Sequence, residues 1–184
     1  MAWIESIHED FASGELAEVY SNIRGKRGKL SNIMRIHSLN PAAMRAHMSL
    51  YRGIMFGEAG LSRGLREAIA VVVSGANGCE YCLRHHSEAL GAHWSAEMVE
   101  AVSADYRSAE LSEPRRTALD YAAKLTESPG EISESDIDRL RVAGFSDAEI
   151  LNINLATAYF NFVNRIAMGL GVEFSEEEAT GYKY

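Results

Sequence analysis

The chain has 184 residues, of which 47% are hydrophobic and 24% charged, and its formal net charge at pH 7 is −8. This composition is typical of one globular domain, and an acidic balance without a dense basic run argues against nucleic-acid binding. No segment reaches the ~18 consecutive apolar residues of a membrane span and the start lacks a signal-peptide core, so we expect a cytoplasmic protein without membrane contact.

Hydrophobic spacing predicts helices in the first half of the chain. Apolar residues recur at helical intervals in segments 16–23, 41–55 and 61–76, and Pro41 suits a first helical turn. The apolar run 70–73 is also compatible with a buried strand, so its assignment stays open at this stage. Glycines on either side of Asn77 should end the third of these helices, and Cys79 should begin the next, which runs towards Leu90.

The second half of the chain carries clearer helix starts. Ser95, Ser112 and Ser133 each precede a helical pattern, and 146–149 fits a capping box before a long apolar helix over 150–170. No strand-turn-strand pattern or internal repeat interrupts the series. We therefore predict an all-α fold, a single-domain helical bundle spanning 1–184. The acidic segment 172–184 is expected either to be loose or to lie on a neighbouring subunit.

Cys79 and Cys82 are the two cysteines of the chain, and His86 follows four residues after the second. On a helix, about 100° per residue places all three side chains within a roughly 60° arc of one face. Two thiols that can form a disulfide would then lie beside an imidazole that can accept a proton. The helix start favours a thiolate on Cys79, whereas adjacency to His86 favours Cys82, so the spacing leaves open which cysteine is the nucleophile.

A Cys-x-x-Cys pair has two other uses, and both stay open on spacing alone. Structural zinc needs four ligands, usually from two separated pairs, and the second pair is missing here, so we expect no metal. The two thiols are also compatible with small buried side chains. In a reducing compartment, however, such a pair is more often catalytic or metal-binding than structural.

Glu67 is the last charged residue before the apolar run 68–73. It is either a solvated residue of the first helical turn or a carboxylate drawn into the core with a partner. His86 would be a suitable partner, because a carboxylate orients an imidazole and raises its basicity.

The order Glu67, eleven residues, Cys79, two residues, Cys82, three residues, His86 resembles the alkyl hydroperoxidase D-like branch of the carboxymuconolactone decarboxylase family. Segments 40–41, 115–125, 140–145 and 159–165 resemble the peroxidase-related subgroup. The sequence departs from the well-studied peroxidases of the family at one position. They carry a second histidine between the two cysteines, where this chain has Tyr81.

The resemblance implies an all-helical fold, a homo-oligomer (a trimer or hexamer) and a thiol-dependent peroxidase acting on a small-molecule peroxide. Glu67 would take a proton from His86, and His86 would deprotonate Cys82. The Cys82 thiolate would attack the peroxide, and Cys79 would condense with the resulting sulfenic acid to a disulfide. No tightly bound cofactor is implied. An external dithiol of lipoyl or thioredoxin type, on a reductant protein, would restore the pair.

Two other functions stay open. One is a lactone decarboxylase or isomerase of the same superfamily, a chemistry that does not depend on a cysteine pair. The other is a redox sensor that uses the disulfide once, as a switch.

Four further residues carry weaker expectations. We expect His85, off the cysteine face, to be solvated or at a subunit contact. Trp94 is expected to form a pocket wall or to pack in the core or an interface. Asn161 and Asn164 are expected to hydrogen-bond between subunits or to cap a neighbouring helix.

Overall fold

The computed structural model describes residues 2–58, 60–179 and 181–182, and every regular element in these ranges is helical. The prediction of an all-α fold is therefore confirmed. Two short 3-10 helices cover Glu9–Phe11 and Pro129–Glu131. The α-helices are α1 (Gly14–Arg27), α2 (Asn32–Arg35), α3 (Pro41–Phe56), α4 (Arg63–Asn77), α5 (Glu80–Gly91), α6 (Ala96–Asp105), α7 (Glu113–Glu127), α8 (Glu134–Val142), α9 (Asp147–Gly169) and α10 (Glu176–Ala179).

Helix α4 is the centre of the bundle. It packs against α5, α7 and α9, and all of its residues from 64 to 74 are buried. A helix that is apolar on every side belongs in a core, and this explains why the run 70–73 looked compatible with a buried strand. The structure assigns that run to α4, so the helical alternative is confirmed.

The turn between α4 and α5 places the two cysteines. Helix α4 ends at Asn77, and Gly78 follows with φ 69°, a left-handed conformation that glycine adopts without a Cβ penalty. Cys79 is then the N-cap of α5, and its backbone N–H donates to the Ser74 carbonyl at 2.9 Å. The predicted break before Cys79 is confirmed, and it fixes the pair at the start of α5 against the core helix α4.

The predicted helix starts are also present. The Ser95 hydroxyl accepts the backbone N–H of Met98, and Ser146 and Glu149 form the capping box at the start of α9. A similar box at Ser133 uses the carboxylate of Asp136. Side chains that satisfy the unpaired N–H groups of a first turn thus mark these starts in the sequence.

The segment after α9 contacts its own chain. Within the described residues it folds back onto the bundle, and Val172 and Tyr182 are buried. The Glu178 carboxylate accepts the Tyr81 hydroxyl at 2.7 Å and the Asn32 backbone N–H at 2.6 Å. These partners lie far away in the sequence, so the acidic composition alone could not reveal them. Residues 180, 183 and 184 lie outside the described residues.

A search of the described helices for one both long and apolar enough to cross a membrane finds none.

Candidate active site

Cys79 and Cys82 are both reduced and buried, each with 2% of its surface exposed. A side-chain hydrogen bond joins the two thiols across the first turn of α5. The two sulfur atoms are therefore neighbours, as the Cys-x-x-Cys spacing predicted. Their proximity is the geometric requirement for a disulfide between them.

The two thiols differ in acidity. The hydrogen bond from the Cys82 thiol lowers the pKa of Cys79, although burial opposes this effect. The same hydrogen bond, together with burial, raises the pKa of Cys82 well above its ordinary value. Between the two thiols, the negative charge is therefore favoured on Cys79, at the N-terminus of α5. This acidity order favours the helix-start alternative for the more acidic thiol.

A different property distinguishes Cys82. It lines a cavity of about 50 Å³, whereas Cys79 is not among the described residues that line it. His86 lines the same cavity, so Cys82 shares it with the predicted base. The remaining described lining residues are Ser31, Ile33, Met34, Tyr51, Tyr81, His85, Ala89, Tyr159, Phe160, Val163 and Tyr182.

Glu67 and His86 form the contact that the sequence suggested. Glu67 is fully buried in α4, and its Oε2 lies 2.6 Å from Nδ1 of His86 in α5. A carboxylate oxygen accepts hydrogen bonds, so Nδ1 carries the proton and Nε2 of the neutral ring carries a lone pair. The Phe160 ring packs edge-on to the imidazole, with centroids 4.5 Å apart, and restrains its orientation. The histidine is thus held in the tautomer that can act as a base at Nε2.

Arg63 is a third member of this group that the sequence analysis missed. Its Nε donates to Glu67 Oε1 at 2.7 Å, and its Nη2 contacts the same oxygen. Burial alone would raise the pKa of Glu67, but the favourable interactions of the carboxylate with His86 and Arg63 leave the pKa below its ordinary value. Glu67 therefore stays ionised in the core. The i,i+4 spacing of Arg63 and Glu67 was the signal that could have identified this pair.

Removal of Arg63 should destabilise the fold measurably. In Arg63→Met the buried Glu67 carboxylate keeps only His86, and we expect unfolding to become easier by about 3 kcal/mol, the low end for breaking a buried ion pair. Denaturant unfolding measures this change. Arg84→Met is the matched control, because Arg84 pairs with Glu80 at i,i+4 on the surface, and it should change stability by no more than about 0.5 kcal/mol. Equal losses in the two variants would contradict the buried pairing.

Asn164 is a further site residue that the sequence did not place. It is fully buried in α9, and its hydrogen bond to Cys82 lowers the pKa of that thiol, against the larger effects that raise it. Its amide also donates to Ser74 Oγ at 3.2 Å and accepts from Asn77 at 3.0 Å. The expectation that Asn164 bonds between subunits is wrong, because α4 and α9 pack together and bring its partners from the same chain.

Asn161 also has hydrogen-bond partners within its own chain. Its amide donates to Thr126 Oγ1 at 2.9 Å and accepts from Asn77 at 3.0 Å, and both partners lie in the same chain. Asn77 thus bridges Asn161 and Asn164 at the end of α4. These polar contacts fix the register of α9 against the helix that precedes the cysteines.

His85 and Trp94 lie outside the Glu67–His86 couple. The expectation that His85 is solvated is wrong, because its side chain is largely buried within its own chain. Its ring packs on Tyr81 with centroids 4.5 Å apart, and it lies 3.5 Å from Glu178 of the folded-back segment. Trp94 is not among the described residues that line the cavity, and it packs under the guanidinium of Arg115 at 4.6 Å. The packing alternative for Trp94 therefore holds.

Tyr81, at the position where the sequence departs from the family pattern, is a buried structural residue. Besides donating to Glu178, its hydroxyl accepts the Ile33 backbone N–H at 3.1 Å. Within the described residues, no group of three or more His, Cys, Asp or Glu side chains could hold a metal ion.

Comparison with known proteins gives consistent matches. The model of the carboxymuconolactone decarboxylase family matches residues 41–124. A peroxidase-related protein from Silicibacter sp. TM1040 is 32% identical over 97% of this chain and 94% of that one, with a TM-score of 0.88. A peroxidase-related protein from Ralstonia eutropha JMP134, an alkylhydroperoxidase AhpD core, is 26% identical over 97% and 94%, with a TM-score of 0.87.

A more distant likeness concerns the fold alone. The debrominase Bmp8, solved with 2,3,4-tribromopyrrole, is 23% identical over 94% of this chain and 91% of that one, with a TM-score of 0.80. A comparison with curated protein sequences gives no match. From the family model and the likeness over nearly the whole chain, the protein belongs to the carboxymuconolactone decarboxylase family, in its AhpD-like branch.

Proposed function

We propose that the protein is a thiol peroxidase that reduces small hydroperoxides with Cys79 and Cys82. The observation that carries this proposal is the buried Glu67–His86 couple, whose imidazole shares one cavity with the Cys82 thiol. The likeness to peroxidase-related proteins supports the same class of chemistry. A lactone decarboxylase or isomerase would have no use for the thiol pair at this cavity.

The first step is attack by Cys82. His86 Nε2 accepts the Cys82 thiol proton, either directly or through a water, and the ionised Glu67 stabilises the imidazolium that forms. The hydrogen bond of Asn164 stabilises the Cys82 thiolate. The sulfur then attacks the hydroxyl-bearing oxygen of the hydroperoxide, the O–O bond breaks, and the leaving oxygen departs as an alcohol or water after it gains a proton. Cys82 is left as a sulfenic acid.

The second step uses the acidity of Cys79. Its lowered pKa makes it the thiolate that is ready to attack the sulfenic sulfur of Cys82. The S–S bond forms, the S–O bond breaks, and the hydroxide takes back the proton that His86 accepted in the first step and leaves as water. The different acidities of the two thiols thus fit two successive roles, with the more acidic thiol, Cys79, as the resolving group and the cavity-lining thiol, Cys82, as the attacking group.

The reductant must come from outside the chain. The sequence has two cysteines, so no second dithiol is present to reduce the disulfide. We propose a protein dithiol of lipoyl or thioredoxin type as the electron donor, and no tightly bound cofactor. Exchange with either dithiol would proceed through a mixed disulfide.

The cavity indicates the substrate class. It measures about 50 Å³, and a single water needs roughly 10–15 Å³ of such space. It thus accommodates hydrogen peroxide or a short alkyl hydroperoxide, and the aromatic rings of Tyr51, Tyr159 and Phe160 offer an apolar wall for the alkyl group.

Steady-state peroxide consumption tests the proposal. With reduced dihydrolipoyl protein or thioredoxin, wild-type protein should consume hydrogen peroxide and ethyl hydroperoxide over many turnovers, and cumene hydroperoxide more slowly. Cys82→Ser should abolish turnover. Oxidation that stops after one equivalent with every dithiol would favour the redox sensor, and absence of any peroxide reaction would contradict the proposed function.

A homo-oligomer is the assembly we propose. The apolar run 68–73 is buried inside the chain, so it offers no surface for contacts between copies. Helix α9 has an exposed apolar stripe, because the spacing of three exposed side chains places them on one face of the helix. They are Leu151, Leu155 and Phe162. Burial of this stripe between copies would remove apolar surface from water. Sedimentation should show a trimer or hexamer, and a stable monomer of 20.3 kDa at micromolar concentration would contradict it.

A further inference from the structure

A second hydrogen-bonded chain ends at the thiol cavity, on the wall formed by α3 and α9. The Tyr159 hydroxyl lies 2.7 Å from His47 Nε2, and His47 Nδ1 lies 3.2 Å from His37 Nε2. His37 Nδ1 lies 2.8 Å from the Ile33 carbonyl oxygen. Tyr159 lines the cavity that Cys82 and His86 share. The proposed peroxidase steps above leave His37 and His47 without a role.

The Ile33 carbonyl fixes the direction of this chain. A carbonyl only accepts, so His37 Nδ1 must carry a proton. When His37 is neutral, its Nε2 therefore accepts from His47 Nδ1–H, and His47 Nε2 accepts the Tyr159 hydroxyl proton. In this state every proton in the chain points away from the cavity.

One added proton reverses every hydrogen bond in the chain. If His37 carries protons on both nitrogens, its Nε2–H donates to His47 Nδ1, and His47 Nε2–H then donates to the Tyr159 oxygen. The Tyr159 oxygen then accepts from His47, so its own proton can be donated to a group in the cavity that Tyr159 lines. The chain therefore has two states that differ by one proton, and only the protonated state presents a donor to a bound substrate.

Burial favours His37 as the place where that proton is held. His47 is 4% exposed, whereas His37 is half-buried and so is the end of the chain nearer to solvent. Burial and the neighbouring His37 lower the pKa of His47 to about 3. Burial also lowers the pKa of His37, and its hydrogen bond to the Ile33 carbonyl offsets this effect only in part.

We propose that Tyr159 is the general acid for the leaving oxygen, with His47 and His37 as the relay that supplies its proton. This inference depends on the proposed peroxidase function and adds a residue to it. As the Cys82 sulfur bonds to the hydroxyl-bearing oxygen, the O–O electron pair moves to the other oxygen, which takes the Tyr159 proton. Tyr159 regains a proton from His47, and His47 from His37, which becomes neutral. Sulfur is oxidised by two electrons and the peroxide is reduced by two.

The dependence of rate on the leaving group tests this role. Ethyl hydroperoxide leaves as ethoxide, a strong base that needs a proton, whereas peracetic acid is similar in size and leaves as acetate, which does not. In Tyr159→Phe we expect single-turnover oxidation of the reduced protein by ethyl hydroperoxide to slow by about 10²-fold, and oxidation by peracetic acid to stay close to wild type. The readout is alkylation of the remaining thiols followed by mass spectrometry.

Two more variants complete the test. His47→Gln keeps a polar side chain but cannot pass a proton between two positions, so it should reproduce the selective loss even if Tyr159→Phe does not fold. Tyr20→Phe removes another buried phenol hydroxyl, one that donates to the Ile7 carbonyl at 2.8 Å away from the cavity, and it should leave both rates unchanged. Equal losses with the two peroxides in Tyr159→Phe or His47→Gln would overturn the inference. Wild-type protein that neither peroxide oxidises would instead refute the peroxidase function itself.

Discussion

Replacement of His86 by alanine is expected to slow peroxide oxidation of the reduced pair by about 10²-fold or more at neutral pH, the usual contribution of a general base. Burial and the contact with Cys79 already raise the pKa of Cys82. Without Nε2 of His86 to accept the proton, the thiolate fraction of Cys82 is small. A thiol titration and single-turnover oxidation measure the two parts of this effect.

Glu67→Gln should act in the same direction but less strongly. The amide removes the negative charge that stabilises the His86 imidazolium, but it leaves an oxygen that can accept from Nδ1. Because both residues act through one proton path, the double variant should cost little more than His86→Ala alone. If Glu67→Gln changed neither the titration nor the rate, Glu67 would have only a structural role.

His85→Ala is the matched control for His86→Ala. It removes the neighbouring imidazole from the same helix and the same cavity, but His85 contacts Glu178 and Tyr81 rather than Glu67. We expect a much smaller loss of rate than in His86→Ala. Equal losses in the two variants would indicate damage to the cavity rather than loss of a specific base.

The second prediction concerns the division of roles between the cysteines. Cys79→Ser should leave the first attack intact and trap Cys82 as a sulfenic acid, because the resolving thiol is absent. Cys82→Ser should prevent attack, because the remaining thiol is not among the described residues that line the cavity. A sulfenic-acid probe with mass spectrometry identifies the modified residue in each variant.

The acidity order of the pair makes this prediction stringent. Cys79 has the lower pKa, so a nucleophile chosen by acidity alone would be Cys79, whereas one chosen by access to the cavity is Cys82. Sulfenic acid on Cys79 in Cys82→Ser, at a rate close to that of wild type, would reverse the two roles.

Local signals in the sequence predicted most of the fold. Helical periodicity, the capping residues Ser95 and Ser146 and the glycine before Cys79 are short-range features, and the structure contains the elements that they predicted. The sequence left the secondary structure of the run 70–73 open, because a segment buried on all sides loses the periodicity that distinguishes a helix from a strand. In the structure this run is part of α4, which packs in the centre of the bundle.

The candidate site was only partly visible in the sequence. One motif contains four of the candidate residues, because they lie on or at the start of two consecutive helices: Glu67, Cys79, Cys82 and His86. The predicted contact between Glu67 and His86 is present. Their catalytic roles stay predictions. Asn164, nearly eighty residues later in α9, reaches Cys82 only because α9 packs against α4, and periodicity does not give the register between helices.

The contacts of the histidine chain and of the folded-back segment could not be predicted from the sequence, for the same reason. His47 meets Tyr159 across 112 residues, and Glu178 meets Tyr81 across 97. Each partner taken alone looks like an ordinary polar residue of its own helix. Only tertiary packing brings the partners of each pair together, and one member of each pair, Tyr159 or Tyr81, lines the thiol cavity.

One equivalent of hydrogen peroxide added to the reduced wild-type protein tests the central claim most directly. After rapid alkylation, peptide mass spectrometry should show Cys79 and Cys82 joined in one intramolecular disulfide, which a dithiol reverses and which forms far more slowly in His86→Ala. Protein that stays fully alkylated, or that carries only over-oxidised single cysteines, would contradict the account.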